Sequence, residues 1–131
     1  MRYLLVLLLG VTFLTGCRKG PGVGGKATIQ GKVYVHYYNS TGTSINFAYY
    51  GADEDVYIVY GDDVVYSDKV STGYDGTYRF DYLLPGDYKI YVYSKDVTGQ
   101  SGGERIPIII DVEITDKNQV IELEDIVIDD N

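Results

Sequence analysis

Along most of the chain, apolar side chains come in short runs that alternate with polar ones, and Gly, Asp, Asn or Pro separates the runs. The stretch "ATIQGKVYVHYY" (27–38) sets the pattern. Ile29, Val33 and Val35 share one face of an extended chain, and Gly31 marks a bulge or a close approach. The same alternation predicts strands over 56–60, 64–72, 77–82, 88–95, 106–114 and 120–128. Pro107 lies inside the sixth of these, so that strand is expected to start at an edge or just after the proline. Turns fall at Gly61-Asp62-Asp63, at "GYDG" (73–76) and at "LLPGD" (83–87), where Pro85 is preset for the first corner and Gly86 is free to take a positive φ. Seven strands in about 100 residues predict an all-β, seven-stranded, two-sheet sandwich. Its expected core holds Val33, Val35, Val56, Ile58, Phe80, Ile90, Val92 and Ile121. One connection stands out: "NSTGTSINFAYYGAD" (39–53) is polar at first and then aromatic, a length that is either functional or partly strand-like.

The beginning of the chain follows a different rule. Arg2 precedes an apolar run over 4–14, broken only by Gly10 and Thr12, and small residues follow it. The run is too short for the roughly 20 residues that span a bilayer, and the arrangement is that of a secretory signal over residues 1–16. At its end, Leu14-Thr15-Gly16-Cys17 resembles the lipobox of bacterial lipoproteins. The resemblance implies that the Cys17 thiol receives a diacylglyceryl group, that the signal is cut just before it, and that the new amino terminus is acylated. The only cysteine of the chain is thereby consumed, so no disulfide forms within one mature chain. With about 0.8 kcal/mol for each buried methylene, two or three acyl chains hold a protein at a membrane. The implied location is the bacterial cell envelope, with the membrane as partner through the lipid. Arg18, in place of Asp after the cysteine, resembles sorting to the outer membrane. Residues 17–26, with four glycines and a proline in "GPGVGG", read as the lipidated cysteine and a flexible tether, and residues 27–131 as the single domain.

Removal of residues 1–16 leaves 115 residues, enough for one core and not for two. Ten basic side chains then face nineteen acidic ones, a formal charge of −9. Such a surface excludes nucleic acid as a partner, because phosphates require a basic footprint. Fourteen tyrosines remain and there is no tryptophan, a composition suited to strands with half-buried faces.

Asp75-Gly76-Thr77-Tyr78-Arg79-Phe80 followed by Leu84-Pro85-Gly86-Asp87-Tyr88-Lys89-Ile90 is similar to the core motif of transthyretin-like sandwiches. That group includes carboxypeptidase regulatory-like domains and collagen-adhesin repeats. The resemblance implies that Tyr78 and Phe80, and then Tyr88, Ile90 and Val92, point into one sandwich. For function it implies only a range of transport, adhesion and spacer roles. Some adhesin repeats close a lysine–asparagine isopeptide bond; Lys32 would supply the lysine here, but the position of the required acid holds Val92.

Candidate chemistry is sparse. His36 is the only histidine, no nucleophile-elbow motif accompanies it, and one histidine cannot build a zinc site. Asp53-Glu54-Asp55 and Asp62-Asp63 flank one short strand without the EF-hand pattern and read as solvated turn charge. No catalytic residue, metal ligand or cofactor other than the lipid on Cys17 is expected, and the chain does not read as an enzyme. Tyr37, Tyr38, Tyr49 and Tyr50 flank the long connection and are the candidate ligand contacts. Core or rim packing is the plainer reading of the same four rings. The expectation is a membrane-anchored envelope lipoprotein with a non-catalytic binding or structural role, its partner an envelope protein or a glycan. The alternatives are a carbohydrate-binding module using the tyrosine-rich loop 37–50, or an adhesin or fimbrial-type subunit.

Overall fold

The computed structural model describes residues 19–131; the expected signal over 1–16, the expected lipidation site Cys17 and Arg18 lie outside the described residues. Nine strands follow one another: β1 (Val23–Tyr38), β2 (Ile45–Tyr50), β3 (Asp55–Tyr60), β4 (Asp68–Ser71), β5 (Thr77–Leu83), β6 (Gly86–Lys95), β7 (Arg105–Ile114), β8 (Val120–Glu122) and β9 (Ile126–Asp130). Among the described residues there is no helix. The strands form a five-stranded sheet built around β1 and a four-stranded sheet in the order β4-β3-β6-β7.

The long strand β1 organises the first sheet. Its first half pairs antiparallel with β5 (Ile29 opposite Phe80) and parallel with β8 (Ile29 opposite Ile121). Its second half pairs antiparallel with β2 (Val35 opposite Tyr49) and parallel with β9 (Val35 opposite Ile128). At the changeover the Val33 N–H donates to Gly76 O at 2.9 Å, and the Gly51 N–H donates to Val33 O at 3.0 Å. A strand residue sends both backbone groups to the same side, so β5 and β2 follow each other along one edge of β1 while β8 and β9 line the other.

The core lies between the sheets. Ile29, Val33, Val35, Val56, Ile58, Tyr78, Phe80, Tyr88, Ile90 and Val92 are all buried there, as the alternation predicts, with Ile126 and Ile128 added from β9. Ile121 is only partly buried and packs against this cluster. Gly31 is a close approach: a Cβ there would stand 2.6 Å from the Tyr78 hydroxyl oxygen, which is buried without a hydrogen-bond partner.

Three boundaries differ from the sequence expectation, each for a physical reason. The strand count is nine, not seven, because the 39–53 connection contains β2 and the last strand divides into β8 and β9. The predicted 64–72 strand shrinks to Asp68–Ser71: the Ser67 hydroxyl accepts the Tyr60 N–H at 3.0 Å and closes the β3–β4 ladder there. The expected 17–26 tether is shortened from its far end. Gly22 is buried, its N–H donates to the Tyr88 hydroxyl at 2.8 Å, and its carbonyl accepts the Leu84 N–H at 2.8 Å. Pro21 packs over Gly86, where a Cβ would meet the proline ring at 2.8 Å; the glycine is needed for that contact, at φ 148°. Among the described residues, contact with the sandwich is made from Pro21 onward.

Candidate functional site

Strand alternation gives the four-stranded sheet two opposite characters. On β6, Tyr88, Ile90, Val92 and Ser94 point into the core, so Lys89, Tyr91, Tyr93 and Lys95 point away from it. Cross-strand register then assembles a row on the outward face: Lys69 on β4, Tyr57 on β3, Tyr91 on β6 and Ile109 on β7 stand opposite one another in turn. The next row toward the end of the sheet includes Tyr93 opposite Pro107. Among the described residues no strand or helix covers these rows; the 61–67 loop lies against one side of them, where outward-facing Val59 is buried.

The rings form a continuous aromatic surface. Tyr57 and Tyr91 stack with centroids 4.9 Å apart and planes 8° from parallel. Tyr93 stands edge-on to both, at 5.6 Å and 5.5 Å. Tyr66 completes the group at 5.0 Å from Tyr57, and it comes from the 61–67 loop rather than from a strand. That loop is held in place: the Ser67 N–H donates to Ile58 O at 2.7 Å, and the Ser67 hydroxyl reaches Asp63 at 3.3 Å. Beside Tyr66 the loop presents Val64 and Val65 to solvent, fully exposed and 72% exposed. Together with Pro107 and Ile109 these groups line a shallow groove of about 490 Å³.

Charged pairs frame the aromatic floor. Lys69 bonds Asp55 at 3.2 Å and lies 6.0 Å from the Tyr57 ring centre, and Lys89 bonds Asp111 at 2.6 Å. Each carboxylate raises the pKa of its lysine, chiefly through the hydrogen bond, so both ammonium groups stay charged. Partial burial, followed by the neighbouring Tyr93, raises the Tyr91 phenol above its ordinary value, so this phenol stays protonated at neutral pH. The floor is neutral and apolar, and its rim offers hydrogen-bond donors and acceptors in pairs.

The four tyrosines singled out in the sequence lie elsewhere, and the structure separates them. The six-residue 39–44 turn, closed by the Asn39 N–H donating to Ser44 O and by the Asn39 side chain accepting the Thr43 N–H, sets the β1–β2 register. In that register Tyr37 faces Phe47, on which it stacks at 4.7 Å, and Tyr49 follows at 5.8 Å from Phe47. Tyr50 points to the opposite face of the sheet, edge-on to Tyr34 at 5.0 Å, with its hydroxyl donating to Asp125 at 3.0 Å. Tyr38 pairs with Ile45 beyond a bulge. Tyr37 and Tyr49 thus share a surface with Phe47, while Tyr50 does not.

His36 lies 3.8 Å from Asp129 on the five-stranded sheet. Lys32 and Val92 belong to different sheets, with Val92 in the core and the Lys32 ammonium over the Tyr50 ring at 4.7 Å. Among the described residues no three His, Cys, Asp or Glu side chains gather as a metal site would require. The residues that the sequence reading passed over are Tyr57, Tyr66, Tyr91 and Tyr93. The signal for two of them was present, since any strand that buries Tyr88, Ile90 and Val92 must turn Tyr91 and Tyr93 outward.

No family model matches the chain, and no curated protein matches it. Solved structures do match. One, from Pseudomonas aeruginosa and described as a "putative carbohydrate binding protein", is 16% identical with a TM-score of 0.47, over 79% of this chain and 90% of that one.

Proposed function

We propose that this chain is a non-catalytic binding module whose outward tyrosine face takes neutral sugar rings, carried at a membrane of the bacterial envelope by lipid on Cys17. The observation that carries the reading is the outward aromatic floor, with Tyr57 and Tyr91 half-buried and Tyr93 exposed, extended by exposed Tyr66 from the 61–67 loop. A pyranose presents a face of C–H groups that packs on an aromatic ring, and a belt of hydroxyls that needs donors and acceptors at its edge. The Asp55–Lys69 and Asp111–Lys89 pairs supply such an edge. Exposed apolar area of this kind in a soluble domain marks a binding surface. The strongly acidic chain repels polyanions, which favours an uncharged glycan over a uronic or sulfated one.

The surface suits binding rather than cleavage. A glycosidase sets two carboxyl groups across a bond, one of them held protonated, whereas Asp55 and Asp111 are each engaged by a lysine on a flat face. The transthyretin-like resemblance of residues 75–90 agrees with the two-sheet sandwich and with a scaffold that presents a face. With Cys17 lipidated, only residues 18–20 would separate the anchor from the docked Pro21, a reach of about 14 Å at full extension. The module would ride close to the bilayer rather than on a long leash.

The test is retention of the domain on immobilised neutral polysaccharides. Wild-type protein beginning at residue 19 should be retarded by at least one of cellulose, xylan, chitin or dextran, and released by the matching soluble oligosaccharide. Tyr66→Ala and Tyr93→Ala should lose retention while melting within a few degrees of wild type. Failure of all four matrices, or unaltered retention by both variants, would overturn the reading.

A further inference from the structure

Every sheet edge exposes backbone groups that can pair with another strand, and proteins blunt such edges with charge, proline or shortness. This domain does so on every edge except one. Strand β4 has four residues, two of them charged; β5 carries Arg79 and Asp81; β7 carries Pro107, Arg105, Asp111 and Glu113; β8 and β9 carry Glu122, Asp129 and Asp130. Strand β2, "INFAYY", has neither charge nor proline, and all six of its residues are exposed. It pairs with β1 on one side and, among the described residues, with no strand on the other. Since the Gly51 N–H points to β1, alternation turns the N–H and C=O groups of Ala48 and Tyr50 outward, as far as the bulge at Asn46. Six uncharged residues on an open edge, four of them (Ile45, Phe47, Tyr49 and Tyr50) of high β-propensity, are a template for strand addition.

We propose that β2 is a docking edge for an extended, basic segment of a partner protein, which adds to the five-stranded sheet beside Asn46–Tyr50. Charge decides between this occupant and a second copy of the chain. Acidic groups flank β2 on both faces: Asp125 accepts from the Tyr50 hydroxyl on one, and Glu54 and Asp130 lie close enough to Tyr49 on the other to raise its pKa. Lys32 over the Tyr50 ring and Lys95 on Asp130 offset only part of that charge. Two copies meeting at this edge would bring those carboxylates together in an already acidic pair of molecules, whereas a lysine-bearing strand would be attracted from both sides. Stacked Tyr37 and Phe47, with Phe47 55% exposed, offer apolar contact to alternate side chains of the added strand. The edge belongs to the five-stranded sheet and the tyrosine floor to the four-stranded one, so the two surfaces can be occupied independently.

The test uses a capped heptapeptide alternating lysine and valine, with its glutamate–valine counterpart as control, and reads amide hydrogen exchange. The lysine peptide should slow exchange at Ala48 and Tyr50 about tenfold or more, with no change at the outer residues of β7, and the glutamate peptide should not. Ala48→Pro removes an outward N–H without touching the β1 ladder and should abolish the protection; Ala48→Lys, which keeps the N–H and adds a repelling cation, should weaken it. Equal protection by both peptides would overturn the proposal. So would no protection by either, or protection that grows with protein concentration alone, which would make the occupant a second copy.

Discussion

Tyr57 and Tyr91 lie ring on ring, 4.9 Å between centroids and 8° from parallel, on the face of the four-stranded sheet that turns away from the core. Cross-strand aromatic pairs of this kind contribute roughly 0.2–1 kcal/mol to a sheet. That range separates stability from binding. Tyr57→Ala should cost the domain about 1 kcal/mol, visible as a lower melting temperature, because Tyr57 touches Tyr66, Tyr91 and Tyr93 at once. Tyr66→Ala, at the rim, should leave the melt nearly unchanged. Equal destabilisation by the two would mean that Tyr66 is a structural strut.

Gly31 and Tyr78 form a second informative pair. A methyl group at Gly31 would meet the Tyr78 hydroxyl oxygen at 2.6 Å, so Gly31→Ala should destabilise by about 1–3 kcal/mol. The hydroxyl is itself buried and unpartnered, and burial pushes the phenol pKa far up, so Tyr78→Phe should be neutral or stabilising. The double variant should recover part of the loss. Denaturant melts of the four proteins measure the coupling; strict additivity would contradict the packing described here.

The start of the domain is testable by truncation. A chain beginning at residue 27 loses the Gly22–Tyr88 and Gly22–Leu84 hydrogen bonds and should be about 1–3 kcal/mol less stable than one beginning at residue 19. Both should give all-β circular dichroism. Within either, Phe80→Ala should cost about 3–5 kcal/mol, the range for a buried aromatic.

How much of this was legible in the sequence depends on whether a strand faces two different environments. The strands that do, such as β6 with Tyr88, Ile90 and Val92 inward, were read almost to the residue. Strand β2 was legible only as one of two readings of the 39–53 connection, because it hangs beyond the core and is exposed on both faces, so its side chains follow no alternation. The docking of Gly22 depends on Tyr88, 66 residues away, and a glycine-rich stretch read locally can only look like a tether. The tyrosine floor was missed for a related reason. Its four rings come from β3, a loop and β6, and only the β3–β6 register brings them together. Proximity in sequence favoured the pairs Tyr37-Tyr38 and Tyr49-Tyr50, yet strand alternation sends adjacent residues to opposite faces.

Glu54 gives the fold a pH signature. Burial, with Asp130 adding to it, raises its carboxyl pKa above the ordinary value. A carboxyl whose folded pKa is raised binds its proton more tightly in the native state. Its favourable contribution is therefore present below the unfolded value and lost as pH rises through the folded one. Glu54→Gln should raise the neutral-pH melting temperature by up to about 4 °C, and the difference should vanish in acid, where wild type is protonated. A constant difference across pH would assign the effect to something other than this proton.

The anchor is tested separately from the domain. Cys17→Ser should prevent the proposed acylation and the cleavage after Gly16, so that the protein no longer sediments with membranes through a lipid. Protein that is still cut after Gly16 and still sediments with membranes would exclude the lipid anchor.

The most direct measurement of the central claim is ring-resolved NMR of tyrosine-labelled protein titrated with a hexasaccharide of the best-retained neutral glycan. The account predicts saturable shifts at Tyr57, Tyr66, Tyr91 and Tyr93, and none at Tyr37, Tyr49 and Tyr50 on the other sheet. Shifts confined to the β2 rings, or none anywhere at millimolar sugar, would contradict it.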